Sequence, residues 1–414
     1  MKRFWIFNFL TAFFLVASAL HAGPIDAYVT NSGGDSVSVI DTSINVVTAT
    51  VHLNSEPRGV AITPNGSFAY VTNEASSTVS VIDTSTNVVT ATVNLTLNSA
   101  PIGVAVTPNG LFAYVTDQDL RTVSVINTST NSIVATVTVG LLPSGVAITP
   151  NGLFAYVTNF GGPVSVINTS TNSVIATVTV GRAPLGVAIT PNGSFAYVVN
   201  QLDDTVSVIN TSTNSVIETI NVTSSSSLFE IAITPNGLFA YVTDQDTNKV
   251  SVINTSTNSI VATVPTFTPN GGVAITPNGS FAYVTNYDSG IGTTVSVINT
   301  STNTVTETVA VGMGPLGIAT PSFLQPPSCI SGFQKKDRFL TQTDLYNTIK
   351  WCASSSFFVT SYNIYRNGTL IGSVPATQLT FEDHNRRKGE KYLYTVTAIS
   401  SGGAISLPAT ITLP

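Results

Sequence analysis

Charged side chains are scarce, at 9% of 414 residues, far below the usual quarter. Ser, Thr and Asn must therefore cover most of the surface, a pattern that suits an exported protein. Positive charge is the rarest over most of the chain. Residues 23–320 carry 16 acidic and 4 basic side chains, so they offer no nucleic-acid footprint. Histidine is nearly absent: His21 lies in the N-terminal leader, His52 ends a strand and His384 is far downstream. A His-dependent triad, a His-ligated metal site and a two-His lyase site are unsupported. The glycines punctuate turns and form no phosphate loop or dinucleotide fingerprint. No catalytic residue is assigned, although carboxylate chemistry, which needs no His, stays open.

Long apolar runs are missing except at the start, so no transmembrane segment is expected once the leader is removed. Met1–Ala22 reads as a signal peptide. Lys2 and Arg3 precede an apolar run, Phe4–Val16, too short to span a membrane, and cleavage is expected after Ala22. The expected location is exported: periplasm, cell surface or extracellular.

What the chain has in abundance is one phrase. Gly145-Val146-Ala147-Ile148-Thr149-Pro150-Asn151-Gly152-Leu153-Phe154-Ala155-Tyr156-Val157-Thr158-Asn159 recurs almost unchanged six times. Val, Ile, Tyr and Thr favour strands. Pro150-Asn151-Gly152 supplies a fixed φ followed by residues that tolerate positive φ. The marker tyrosines Tyr28, Tyr70, Tyr114, Tyr156, Tyr197, Tyr241 and Tyr283 are 42, 44, 42, 41, 44 and 42 residues apart. A period near 40 with only strand signals predicts an all-β repeat fold. Four strands fit each unit, A to D from hub to rim, the blade pattern of a propeller. The first unit starts at a B strand, Ala27–Asn31, and an orphan A strand, Pro315–Thr320, follows the last. Pairing the two closes a seven-bladed β-propeller and removes an exposed edge. Phe68, Tyr70 and Thr72 share one face of strand B, and the recurring aromatic is read as inter-blade core rather than a carbohydrate platform.

The phrases Ala-Tyr-Val-Thr-Asn and Val-Ser-Val-Ile-Asp/Asn over residues 27–320 resemble the YVTN-repeat β-propeller family of surface-layer-like and periplasmic proteins. That resemblance implies a seven-bladed propeller in the cell envelope, with a binding or scaffolding role and no shared catalytic set.

Beyond the repeats the charge reverses, with 9 basic and 5 acidic residues in 321–414. Residues 322–328 read as a linker and 329–414 as a small β-sandwich. Trp351, the Asn367-Gly368 hairpin turn and the alternation Tyr392, Tyr394, Val396, Ala398 resemble a fibronectin type III-like domain. Cys329 and Cys352 can pair in an exported chain, linking the first two strands. The basic run Asn385–Lys388 is read as a solvated loop.

Propeller topology puts A–B and C–D turns on one uniform face and B–C and D–A loops on a variable one. Many Asn-x-Ser/Thr matches, such as Asn127, Asn168 and Asn254, fall in the uniform turns and are read as turn chemistry rather than glycan acceptors. The variable face holds 11 of the propeller's 16 acids and all four of its basic residues. Loops on a rigid scaffold concentrate function. The candidate binding face is Asp35, Glu74, Asp117, Asp119, Arg121, Asp203, Asp204, Asp244, Asp246 and Asp288. No metal site is firm and no cofactor is required. Asp117, Asp119, Asp244 and Asp246 are a fragment of a calcium donor set, which needs six to eight oxygens. The first functional reading is an exported binding or scaffold protein holding a protein or glycan partner on the acidic face. The alternatives are a lactonase-like, metal- or carboxylate-dependent propeller hydrolase and a lattice-forming surface-layer protein.

Overall fold

The computed structural model describes residues 26–53, 55–222, 227–266, 270–321, 328–339, 342–354, 359–387, 389–400, 406 and 409–414. The leader read at Met1–Ala22 and the linker residues 322–327 lie outside them. Seven four-stranded antiparallel sheets form the blades of the propeller. Blade one takes strands B, C and D from Asp26–Asn31, Ser36–Asp41 and Val46–His52. Its A strand is Pro315–Ala319, which pairs Tyr28 with Ala319 and Val29 with Ile318. The ring is thus closed by the two ends of the repeat array. Blade two, with strands Pro57–Ile62, Phe68–Asn73, Thr78–Asp83 and Val88–Asn94, is representative. Among the described residues no helix is long and apolar enough to cross a membrane.

The A–B turn shows why its sequence is repeated. The Gly152 N–H donates to the Thr149 carbonyl at 2.7 Å, and Gly152 has φ +73°. Positive φ falls on the glycine alone, while Asn151 serves as an acceptor. Its Oδ1 takes the Leu153 N–H at 3.0 Å and the Thr149 hydroxyl at 2.7 Å.

The apolar core lies between blades. Ala69 and Val71 face blade one, packing with Tyr28, Val37 and Val39. Tyr70 points the other way, onto Ala113, Val115 and Ile126 of blade three. All seven marker tyrosines are buried. Each hydroxyl donates to an Asn in the next blade's C–D turn: Tyr70 to Asn131 at 2.7 Å, Tyr114 to Asn172 at 2.7 Å, and Tyr156 to Asn214 at 2.6 Å. The chain of contacts closes from Tyr283 back to Asn45. Burial pushes the Tyr114 hydroxyl up to about 12, so it stays protonated and donates. The acceptors Asn45, Asn87, Asn131, Asn172, Asn214, Asn258 and Asn303 all have left-handed φ between 49° and 55°. Asn tolerates that region better than other L-residues and brings the oxygen as well.

Strand B ends in a second repeated link, which absorbs two of the acids read as binding residues. The Asn73 amide donates to the Thr78 and Ser80 hydroxyls at 3.0 and 2.9 Å, and Asn200 does the same to Thr205 and Ser207. In blade three Asp117 occupies this position. It is buried, and one oxygen accepts from Thr122 at 3.0 Å and from Ser124 at 2.7 Å. In blade six Asp244 is likewise buried and caps its own loop, accepting the Asp246 and Thr247 N–H groups at 3.0 and 3.1 Å. Asp117 and Asp244 therefore belong to hairpin closure and present no carboxylate to an external partner.

Residues 328–414 form a sandwich. One sheet pairs Ser328–Phe339, Gln342–Cys352 and Thr380–Asp383, and the other Thr369–Pro375, Val359–Arg366, Tyr392–Ser400 and Ala409–Leu413. Trp351, Tyr362, Ile364, Tyr394, Val396 and Leu413 pack between them. Cys329 and Cys352 form a disulfide with Cα atoms 5.4 Å apart, tying the first two strands. In the basic run, Arg386 lies over the Tyr392 ring and pairs with Asp383 at 3.2 Å, and Arg387 pairs with Glu390.

Two outcomes follow from these links. Asn172→Gly keeps the left-handed turn and loses the tyrosine contact, at about 1 kcal/mol; Asn172→Ala adds backbone strain and costs about 2 kcal/mol in urea unfolding. Burial pushes the Asp117 carboxyl up to about 6, against the pull of the Ser124 and Thr122 hydroxyls. Its protonated form is therefore favoured by folding. That contribution is complete below the usual carboxylate range and is lost as pH rises through about 6. Asp117→Asn should stabilise the protein by roughly 2 kcal/mol at pH 8 and by little at pH 4. Equal stabilisation at both pH values would show that charge burial is not the cause.

Candidate functional site

The seven A strands line the axis, and their third residue faces the neighbouring blade at very close range. It is Gly59, Gly103, Gly145, Gly186, Gly272 and Gly317 in six blades. A Cβ on Gly59 would lie 2.4 Å from the Ile102 carbonyl oxygen, and one on Gly317 would lie 2.3 Å from that of Arg58. The close approach is held by a belt of strand-B threonines. Each hydroxyl donates across the blade junction: Thr30 to Arg58 at 2.6 Å, Thr72 to Ile102 at 2.8 Å, Thr116 to Ser144 at 2.7 Å and Thr285 to Leu316 at 2.9 Å.

Both patterns fail at one place. Blade six has Glu230 in place of the glycine, in strand Leu228–Ile233, and blade five has Val199 in place of the threonine. Val199 is buried in the apolar core of this junction and makes no bridging hydrogen bond. The Glu230 side chain lies over Gly186 of blade five, where a Cβ would fall 2.6 Å from its Oε1. Blade seven has Gly271-Gly272 at the second and third positions of its A strand, Asn270–Ile275.

The axis opens into a cavity of about 430 Å³. Nearest the variable face its wall is Arg58, Ile102, Ser144, Leu185, Phe229 and Leu316, the second residues of their strands. One layer deeper it is Val60, Val104, Val146, Val187, Val273 and Ile318. Its ionisable groups are Arg58, Glu74 and Glu230. Arg58 Nε pairs with Glu74, and the two Nη groups make no hydrogen bond to a described residue. Glu230 Oε1 accepts the Ile231 N–H at 3.0 Å, while Oε2 has no partner among the described residues. The residue is half-buried, and it lines the cavity. Burial pushes the carboxyl up to about 7 despite the Ile231 N–H. The site thus joins a carboxyl that changes charge near neutrality with a guanidinium that has free donors.

Of the ten residues read as a binding face, only Glu74 reaches this cavity. Asp35 accepts the Glu56 N–H at 2.8 Å. Asp203 is bound by Arg182, at 2.6 Å from Nε and 2.7 Å from the backbone N–H. Arg121 and Asp204 adopt left-handed φ in tight loops, with carbonyls that accept the Val139 and Val222 N–H groups. Asp119 and Asp246 are exposed, and Asp288 opens a short 3-10 turn, Asp288–Gly290. Among the described residues no three His, Cys, Asp or Glu side chains come together to hold a metal ion. Glu230 stood in the sequence as one acid of eleven. Superposing the repeats on their A strands would have singled it out as the lone carboxylate in a ring of glycines.

A comparison with curated proteins returns no match. Solved propeller structures resemble the chain at the level of fold. Hydrazine synthase from Kuenenia stuttgartiensis is 23% identical, with a TM-score of 0.59, over 65% of this chain and 90% of that one. A functionally unknown protein from Desulfotomaculum acetoxidans is 18% identical, with a TM-score of 0.64, over 72% and 99%. The dihydro-heme d1 dehydrogenase NirN, in complex with DHE, is 14% identical, with a TM-score of 0.57, over 73% and 77%. The family model described as "Lactonase, 7-bladed beta-propeller" matches residues 11–215 and again 167–316, the overlap expected of a repeat array. The chain belongs to this lactonase-type family of seven-bladed β-propellers.

Proposed function

We propose that the axial cavity is a hydrolytic site for lactones. The observation that carries this reading is Glu230, the one carboxylate set into the glycine ring, with an unpartnered oxygen on the wall of the axial cavity. The family match supports it. A base needs a pKa near the working pH, and burial supplies that here. In this reading ionised Glu230 takes a proton from a water molecule whose oxygen attacks the lactone carbonyl carbon. The free Arg58 donors stabilise the oxyanion. The ring C–O bond then breaks, the proton held by Glu230 passes to the leaving oxygen, and a hydroxy acid is released. Glu74 orients Arg58, and Gly186 leaves room for the Glu230 carboxylate.

We favour this reading over partner binding on the acidic face: Asp117 and Asp244 are buried in their hairpins, and Asp35, Glu74 and Asp203 are engaged by Glu56, Arg58 and Arg182. The exported location is part of the proposal and is supported by the disulfide and the leader-like N-terminus. The strand order of the C-terminal sandwich supports a fibronectin type III-like module.

Lactone hydrolysis by the purified mature chain should rise with pH through an apparent pKa near 7, following Glu230. Glu230→Gln should lower kcat/KM by about 100-fold or more and abolish that acidic limb, while stabilising the fold above pH 7, where the wild-type carboxylate is charged. Gly186→Ala would place a Cβ 2.6 Å from Glu230 Oε1 and also 2.8 and 2.9 Å from the Glu230 Cα and the Phe229 carbonyl oxygen, so it should lower the urea midpoint as well as kcat, and leave the acidic limb in place. Full activity in Glu230→Gln would refute the assignment.

A further inference from the structure

Resting on the hydrolytic reading, we propose that this cavity selects uncharged lactones carrying an apolar substituent and rejects phosphorylated or carboxylated ones. The argument starts from charge. Arg58 is the one cation among the lining residues, and Glu74 already neutralises it. The remaining ionisable group, Glu230, is an acid. An anionic ligand would give up part of its water without a free counter-charge and would share the cavity with Glu230. Phosphate and carboxylate sites are built from bidentate arginines or clustered donors, and among the described residues this wall has no second arginine or lysine. An unpaired charge in such a place is costly.

The apolar part of the wall makes the positive half of the argument. Ile102, Leu185, Phe229 and Leu316 surround the mouth, and β-branched side chains form the layer beneath. The backbone adds few free acceptors, because the threonine belt occupies the carbonyls of Arg58, Ile102, Ser144 and Leu316. A polyhydroxylated sugar ring would find few partners there, whereas an alkyl or aryl group would be buried. Polar side chains reach the cavity from Arg58, Glu74, Gln118, Ser144 and Glu230. The volume lies within the range of small-molecule sites, about 300–1,000 Å³.

The test compares δ-nonalactone and dihydrocoumarin with glucono-δ-lactone and with the same sugar lactone phosphorylated on its primary hydroxyl. The mature wild-type chain should favour the apolar pair over the phosphorylated lactone by about 100-fold in kcat/KM. Glu74→Gln frees Arg58 for an anion. Because Glu74 also orients Arg58, the readout is a ratio: kcat/KM on the phosphorylated lactone relative to dihydrocoumarin should rise by about tenfold, and an unchanged ratio would overturn the selectivity argument. Calorimetric binding of dihydrocoumarin to Glu230→Gln supplies a readout that needs no turnover. If the phosphorylated lactone is the better wild-type substrate, the selectivity is overturned and the hydrolase reading stands. If dihydrocoumarin binds and no lactone is hydrolysed, the ligand class survives and the hydrolase reading fails. Absence of both binding and turnover overturns both.

Discussion

The constraint on which the rest of the molecule depends is the crowding of seven A strands around one axis. Their backbones come so near one another that a Cβ at the third residue would strike the next strand's carbonyl. Glycine is the residue that fits, and threonine from strand B takes up the carbonyl brought so close. These choices are coupled. A closed ring admits no slack at one junction without a compensating change at another, so hub, blade and turn sequences repeat together.

Farther from the axis the blades diverge, and the space between them is filled by the tyrosines. The tyrosine–asparagine contact adds direction to what would otherwise be apolar packing, because it joins a fully buried ring to a turn in the next blade. It also explains why the C–D turns use Asn at a left-handed position where Gly would satisfy the backbone alone. Burial of apolar surface supplies most of the stability of such a fold. Hydrogen bonds across the junctions set the register between blades, since an unsatisfied buried group is expensive.

Against this regularity the junction of blades five and six stands out. Glu230 and Val199 replace the glycine and the threonine of the same local arrangement, and together they turn a structural contact into an ionisable wall of the cavity. A carboxylate there has less water than one on the surface, which raises its pKa into the range useful to a base. The departure from the repeat and the raised pKa are one event, since the same substitution breaks the local rule and sets a carboxyl against the cavity.

The sequence by itself determined the fold: period, strand alternation, turn residues and the complementary ends are local features whose reading needs no coordinates. It also placed the acids on the variable face, because strand direction alone assigns loops to faces. It could not decide which acids are free. Asp117 and Asn73 differ by charge in the sequence and are equivalent in the structure, since both close a hairpin onto neighbouring hydroxyls. Strand Ser328–Phe339 was poorly marked as well, because its pairing partner rather than its own composition defines it. Glu230 and Arg58 lie 172 residues apart in the chain. Only closure of the ring brings them to one cavity, where shared walls and partial burial decide what each side chain can do.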